Sequence, residues 1–394
     1  MLNPKTNERE LAYIVQVSKT EDIPNYDNVY AVHINGWWCV ASKDIKENDL
    51  ALYFEIDSLL PKEDPRFSFM EKKKYRVKTI RICGRVSQGL VLSLSQFPEL
   101  KNCKLGDFVT SKLNVKLYEP EVKDPVQPRP KVSPLQRALD QHPRFSKFPL
   151  TKFLLRFDWF KFLLAKILVP KKFKIEWPNW LPKTGSERIQ NVPQLLEDKQ
   201  TKWILSEKVD GCSTSFVLDE HDTYFVCSHN VVVFSSRDPN SKFIADGNKY
   251  IKNNPWLEMS EKYSMQNILQ EIKKEFHLKT IAIQGETYGN GIQKRTYSKK
   301  VNEHDFIVFH IWFNGKRLPI KDMEDIASAH YLNTVTVYDY SYTFPDTVDE
   351  LISVVDSHKS GIDGGAIEGF VIYSQDGQRN YKCVSPSYLI KYHS

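Results

Sequence analysis

Lys208 stands in the run SEKVDGCS, two residues before an Asp-Gly pair. A lysine so placed is either a surface charge beside a turn or a nucleophile. As a nucleophile it would attack the α-phosphorus of a nucleoside triphosphate, form a lysine-AMP bond and expel pyrophosphate. That chemistry needs a neutral amine, which neighbouring cations and partial burial favour by lowering its pKa. It also needs a metal and basic side chains to meet the phosphate charge. An aromatic face must hold the base, and carboxylates must hold the metal, mostly through water if the ion is Mg²⁺.

The chain supplies candidates for each part in order. Glu286 ends a strand-like run in QGETYGNGIQ, before a Gly-rich turn, and Phe309 lies on the alternating run FIVFHIW. Glu368 sits at the mouth of GAIEGFVIY, and YKCVSPSYLIKY brings Lys382 and Lys391. Each has an ordinary alternative: a strand-end Glu is usually solvated, a strand Phe is usually core, and a Lys near a C-terminus is usually exposed. Their joint order favours a site.

Elements must position these residues. Up to residue 118 the pattern is one of short strands, with VYAVHI, Asn35-Gly36 and WWCVAS reading as a hairpin. Several short strands in about 110 residues fit an OB-type β-barrel. EPEVKDPVQPRPKVSP is too rich in proline for regular pairing and reads as a linker. The apolar run FLLRFDWFKFLLAKILV, residues 153–169, is interrupted by four charges. It is too short and too charged to span a bilayer, so a helix there should dock onto protein. Beyond it, KWILSEKVDGCSTSFVL reads as two strands about a turn, SMQNILQEIKKEFHL and TVDELISVVDSHK as helices, and TIAIQGETYG, DFIVFHIWF and GAIEGFVIYS as strands. The expected class is α+β: an OB-type barrel over 1–118, the linker and amphipathic segment over 119–175, and a mixed-sheet domain over 176–394.

Composition is compatible with this reading. The 394 residues are 41% hydrophobic and 26% charged with a formal net charge of +6, which permits a polyanionic partner without demanding one. The six cysteines form no C-x-x-C pair, and the polar start MLNPKTNERE lacks the apolar core of an export signal. Both fit a soluble protein of the cytoplasm or nucleus.

Lys-x-Asp-Gly, Gly-Glu, a strand Phe, Glu-Gly-Phe and a lysine strand together resemble the covalent nucleotidyltransferase superfamily of polynucleotide ligases and capping enzymes. The finer resemblance is to ATP-dependent RNA ligases with an OB domain ahead of the catalytic domain. It rests also on PKTGSERIQN, LAYIVQVSKTEDIP, NDLALYFEIDSLLP and RVKTIRICGRVSQGLVL, and covers roughly 10–118 and 176–392. The resemblance implies an N-terminal OB barrel, a nucleotidyltransferase (ATP-grasp-like ligase) domain, ATP, and Mg²⁺ or Mn²⁺. It makes Lys208 the nucleophile and Lys382 the residue that binds the α-phosphate and helps expel pyrophosphate. Asp210 and Glu286 would contact the ribose or the metal's waters, Glu368 would serve the metal, and Phe309 would stack on adenine. Arg188, Gln190 and Asn191 would wall the ATP pocket, with Lys391 assisting.

The implied function is joining of RNA 3′-hydroxyl and 5′-phosphate ends, free or at a nick in a duplex, through lysyl-AMP and adenylylated RNA. The alternatives are a DNA ligase or capping enzyme, and a nucleic-acid-binding protein with a lapsed catalytic domain. Only His393 and Ser394 follow Tyr392, which leaves no room for the OB domain that DNA ligases and capping enzymes place after the core. The chain departs from the family at His229, at His310 after Phe309, at Val384 and at Gly185-Ser186. EKKKYRVKTIRICGR gives the front domain a basic run, so Lys72, Lys73, Lys74, Arg76, Lys78 and Arg81 are candidates for gripping RNA. On this reading the front domain serves the RNA rather than ATP.

Overall fold

The computed structural model describes residues 9–118, 148–149, 154–157, 160–162, 164, 176–237 and 254–393. The proline-rich linker and most of the apolar run lie outside the described residues. Among those described, no helix is long and apolar enough to cross a membrane.

In the front domain β1 (Ala12–Gln16) pairs antiparallel with β5 (Leu50–Phe54), which also pairs with β9 (Leu90–Ser93). Strand alternation shares β1 and β5 between two cores. Ala12, Ile14, Leu52 and Phe54 join Phe67 and Phe97, whereas Tyr13, Val15, Ala51 and Tyr53 join Val32 and Trp37. A second sheet runs β2 (Lys19–Asp22), β3 (Val29–Ile34) and β4 (Trp37–Ser42). Its hairpin turns on Asn35 at φ 46° and Gly36 at φ 78°, the positive pair that selected Asn-Gly. β6 (Ser58–Leu59) pairs with β10 (Lys116–Leu117), and β7 (Thr79–Ile82) with β8 (Arg85–Gln88). The closed barrel expected from the pattern is not formed among the described residues: the strands divide into four small sheets. Asp57, Lys74, Tyr75 and Cys83, all at positive φ, stand where the chain enters β6, approaches β7 and turns into β8. Such residues cannot continue a ladder.

The second domain has two sheets. One is five-stranded, in the order β11 (Glu187–Arg188), β21 (Asn380–Val384), β20 (Gly369–Ser374), β12 (Trp203–Lys208) and β19 (Val337–Tyr342). The other is six-stranded, in the order β15 (Val232–Ser235), β14 (Tyr224–Cys227), β13 (Cys212–Leu218), β16 (Ile281–Gly289), β17 (His304–Phe313) and β18 (Lys316–Arg317). Helices α1 (Pro255–Lys262), α2 (Met265–Glu275) and α3 (Ile320–Ala329) pack on the six-stranded sheet. α4 (Val348–Ser357) covers the other, burying Leu351 and Val355 against Trp203, Leu205 and Phe370. Such burial contributes about 1.5–3 kcal/mol for each large apolar side chain. A reciprocal cap between Thr347 and Glu350 starts α4.

The two strands around Lys208 belong to different sheets, so Val209, Asp210 and Gly211 form the passage between them. Gly211 is required there, because a Cβ would lie 2.2 Å from the Thr287 carbonyl oxygen. Residues 333–336 join the sheets a second time: the Val308 amide donates to Asn333 and the Glu207 amide to Thr336. A cleft results, with Lys208 at its lip. The lysine strand expected at the C-terminus is a strand only through Val384. Pro386 carries no amide hydrogen for a ladder, and it opens α5 (Pro386–His393), so Lys391 lies on a helix.

Candidate active site

Lys208 ends β12 directly opposite Gly369 of β20, which brings Glu368 alongside. The ammonium Nζ donates to Glu368 Oε2 at 2.7 Å, and a quarter of the Lys208 side chain stays exposed. One strand further, Lys382 of β21 lies beside Val371, and its other neighbour is Arg188 of β11. Four adjacent strands, β12, β20, β21 and β11, therefore align the nucleophile candidate with two further cations. From the facing sheet, Glu286 opposes Ser213 on one side and Ile307 on the other. Asp210 is buried in the passage between sheets, and the Asp210 amide donates to the Tyr297 hydroxyl at 2.6 Å.

Charge sets the protonation states. Burial pushes the Lys382 ammonium down to about 7, and Arg188, Lys208 and Arg9 add to the effect. Burial pushes the Glu286 carboxyl up to about 8; Lys208 works against this, while Glu368 and Asp210 add to it. For Lys208 the expected lowering is not found. Burial favours the neutral amine, but Glu368, Glu286 and Asp210 outweigh it and raise its pKa. Lys208 is therefore a protonated partner of Glu368.

Phe309 owes its position to a bulge. The β16–β17 register jumps between Gln284 opposite His310 and Gly285 opposite Val308, which leaves Phe309 unpaired and re-aimed. It packs beside Val209, Tyr288 and Ile307. His310, the departure next to it, is buried and stands edge-on to Phe309 at 4.8 Å. Its Nε2 faces Arg317 Nη1 at 3.1 Å and its Nδ1 faces Gln284 Oε1 at 3.4 Å, where Trp312 also donates at 2.7 Å. Burial first, and Arg317 next, hold the imidazole neutral. A neutral histidine thus accepts from a buried arginine.

The remaining expected residues divide. Gln190 and Asn191 are buried on a short turn after Arg188, and both amide atoms of Gln190, Asn191 Oδ1 and Arg188 Nη1 have no partner among the described residues. Such orphaned polar atoms beside Lys382 suit a ligand wall. Val384 shares the Lys382 face but is buried, and Lys391 is exposed. His229 meets Thr184 Oγ1 at 3.0 Å, and that hydroxyl also meets Ser213 at 2.5 Å. Burial, then Lys382 and Lys183, lower the His229 pKa. Lys72, Lys73, Lys74, Lys78 and Arg81 are exposed. Arg76 departs from the expectation: it pairs with Asp57 at 2.6 Å and stacks on Tyr118 at 3.8 Å, a brace within the front domain.

Sequence reasoning missed two groups. Tyr388 and His393, both on α5, reach Asp210 Oδ2 at 2.9 and 3.0 Å. Trp37 lies with its ring 5.8 Å from the Arg188 guanidinium, and Trp38 of the same hairpin donates to Asp349 at 3.1 Å. The front domain therefore backs Arg188 as well as carrying exposed lysines. No local pattern announces these contacts, because the partners lie more than 100 residues apart in sequence.

Residues 201–393 match the RNA ligase family and residues 11–94 match an OB-fold domain. The chain thus carries an RNA ligase domain behind an OB-fold domain. Its structure is similar to that of a Naegleria gruberi RNA ligase, an aspartate-to-alanine variant without ligand. The TM-score is 0.70 at 24% identity, over 97% of each chain. A glutamate-to-alanine variant of that ligase with AMP and Mn matches at TM-score 0.69 and 24% identity, covering 97% of this chain and 98% of that one. A lysine-to-alanine variant with ATP and Mn matches at 0.69 and 23%, covering 96% and 98%. No curated protein sequence matches the chain.

Proposed function

We propose that this RNA ligase joins 3′-hydroxyl and 5′-phosphate RNA ends at the expense of ATP, with Lys208 as the carrier of AMP. The observation that carries the reading is the row of cations across one sheet: Lys208 of β12 against Glu368 at the mouth of β20, then Lys382 on β21 and Arg188 on β11. Support for ATP comes from the similar Naegleria ligase, which was solved with ATP and Mn.

In the first step the Lys208 ammonium gives one proton to Glu368 Oε2, its hydrogen-bond acceptor. The freed Nζ lone pair attacks the α-phosphorus, an N–P bond forms, the P–O bond to the β-phosphate breaks, and pyrophosphate leaves while the second Nζ proton passes to solvent. Lys382 and Arg188 neutralise the phosphates, and Phe309 holds the adenine from the bulge. In the second step the RNA 5′-phosphate displaces Lys208 from AMP; in the third the 3′-hydroxyl displaces AMP. The carboxylates fit a divalent cation: burial first, then Glu368 and Asp210, push the Glu286 carboxyl up to about 8, and a bound cation would favour its charged form. Among the described residues they form no closed three-ligand cage, so the ion would be held largely through water and phosphate. Asp210, Glu286 and Glu368 would hold it, and it would offset charge on the α-phosphate.

The same reading assigns residues 1–118 to the OB-type domain, 119–175 to a connecting insert and 176–394 to adenylyl transfer. Six free cysteines fit an intracellular setting. Sealing of a nicked duplex whose flanking strands are switched between RNA and DNA tests the substrate. The reading requires sealing with RNA flanks and its loss with DNA on both sides; equal sealing of all-DNA nicks overturns it.

A further inference from the structure

A cavity of about 600 Å³ adjoins the nucleotide residues without including them. Lys208, Glu286, Phe309, Glu368 and Lys382 do not line it. Its wall shares Tyr288, Tyr297 and Ile307 with the apolar layer under Phe309, and its far side carries Asn333, Thr334 and Thr336. Tyr297 is the bridge between the two spaces, because its hydroxyl accepts the Asp210 amide. Tyr288 lies two residues beyond Glu286 on the same strand, so the cavity continues the Glu286 face of the cleft.

Two further observations mark this cavity as a place where something binds. Tyr297, Ser298 and Asn302 in one bordering loop and Tyr331 in the other all have φ between 50° and 58°. Left-handed backbone is costly for a tyrosine and persists where surrounding structure over-determines it, as at ligand clamps. The same two loops hold Val301, 77% exposed, and Tyr331, 93% exposed. Two large apolar side chains are thus presented to solvent beside a polar chamber, and one of them is an aromatic face.

We propose that this cavity receives a ribonucleotide of the RNA flanking the joint, with its sugar against the hydroxyl and amide groups and a base on Tyr331. The inference rests on the RNA-joining reading above. Hydroxyl and amide groups on Tyr297, Ser298, Asn333, Thr334 and Thr336 can donate to and accept from a 2′-hydroxyl, the group that separates RNA from DNA. An exposed tyrosine supplies a stacking face that any base can use. The chamber lies on the Asp210 and Glu286 side of Lys208, opposite the Lys382 and Arg188 strands, so a nucleotide there leaves the phosphate subsite free.

The test uses the full chain, with Asn333→Trp to fill the cavity and Tyr331→Ala to remove the stacking face. Covalent labelling by ATP and sealing of a nicked RNA duplex are measured for each. Wild-type labelling reports on the RNA-joining reading itself, and the variants report on the cavity. The expected result is labelling within about twofold of wild type, with the KM for nicked RNA raised about tenfold in both variants. Replacing the flanking riboses by deoxyriboses should erase most of that difference. A duplex with 4-thiouridine beside the nick should crosslink to peptides containing 297–303 or 331–336. Loss of labelling in Asn333→Trp would make the cavity part of the ATP site and overturn the proposal. Unchanged KM in both variants, or crosslinks confined to other peptides, would equally overturn it.

Discussion

Lys382 should take up a proton when a nucleotide triphosphate binds. Burial and the cations Arg188, Lys208 and Arg9 hold its pKa at about 7 in the ligand-free site. The sign follows from the depressed pKa of a cationic group: above that value the free enzyme holds a neutral amine, and an arriving polyanion favours the charged form. A group of pKa about 7 is about one-tenth protonated at about pH 8 and about nine-tenths protonated at about pH 6. Binding should therefore take up about 0.9 proton at the higher pH and about 0.1 at the lower. The assay is titration calorimetry with α,β-methylene-ATP, which cannot transfer AMP, in metal-free buffers of differing ionisation enthalpy. Lys382→Met serves as the control for protons exchanged by the nucleotide itself. Equal uptake at both pH values, or an unchanged value in Lys382→Met, would refute the reasoning.

Three further outcomes are expected. Glu286→Gln and Glu368→Gln should each cut the initial rate of covalent labelling at least about a hundredfold; near-normal rates in both would remove the metal role. Phe309→Ala should raise the KM for ATP about 5- to 100-fold through lost stacking, and His310→Ala about tenfold through the orphaned Arg317 donor. An unchanged KM in both would place adenine elsewhere. Arg188→Ala should slow labelling about tenfold and Trp37→Phe a few-fold, whereas Lys72→Ala should leave labelling intact and weaken RNA binding more at low salt than at high, because one fewer phosphate contact flattens the salt dependence. Equal labelling by all three would take the front domain out of the nucleotide step.

Much of this arrangement was legible in the order of residues. Asn35-Gly36 announced its hairpin because only certain residues tolerate two positive φ angles in a row. Helical spacing announced α2 and α4, and strand alternation placed Phe309 on a strand. What alternation could not show was the bulge that aims Phe309, since a one-residue register jump depends on the partner strand. The end of the terminal strand is hard to place because YKCVSPSYLIKY keeps aromatic and aliphatic residues on both sides of Pro386, and Pro386 decides its break. The raised pKa of Lys208 was hidden because its cause lies in the distance to Glu368, Glu286 and Asp210. Nor could spacing reveal that Trp37 backs Arg188 or that Tyr388 and His393 close on Asp210.

The central claim is that Lys208 carries AMP, and intact-mass analysis after incubation with ATP and Mg²⁺ tests it most directly. Wild-type protein should gain the mass of one AMP, the adduct should map to the peptide containing Lys208, and nicked RNA should discharge it. Lys208→Ala should gain nothing, and Lys208→Arg should gain nothing either, because a guanidinium is too basic to lose its proton. An AMP adduct on Lys208→Ala, or one mapped to another lysine in the wild type, would contradict the account.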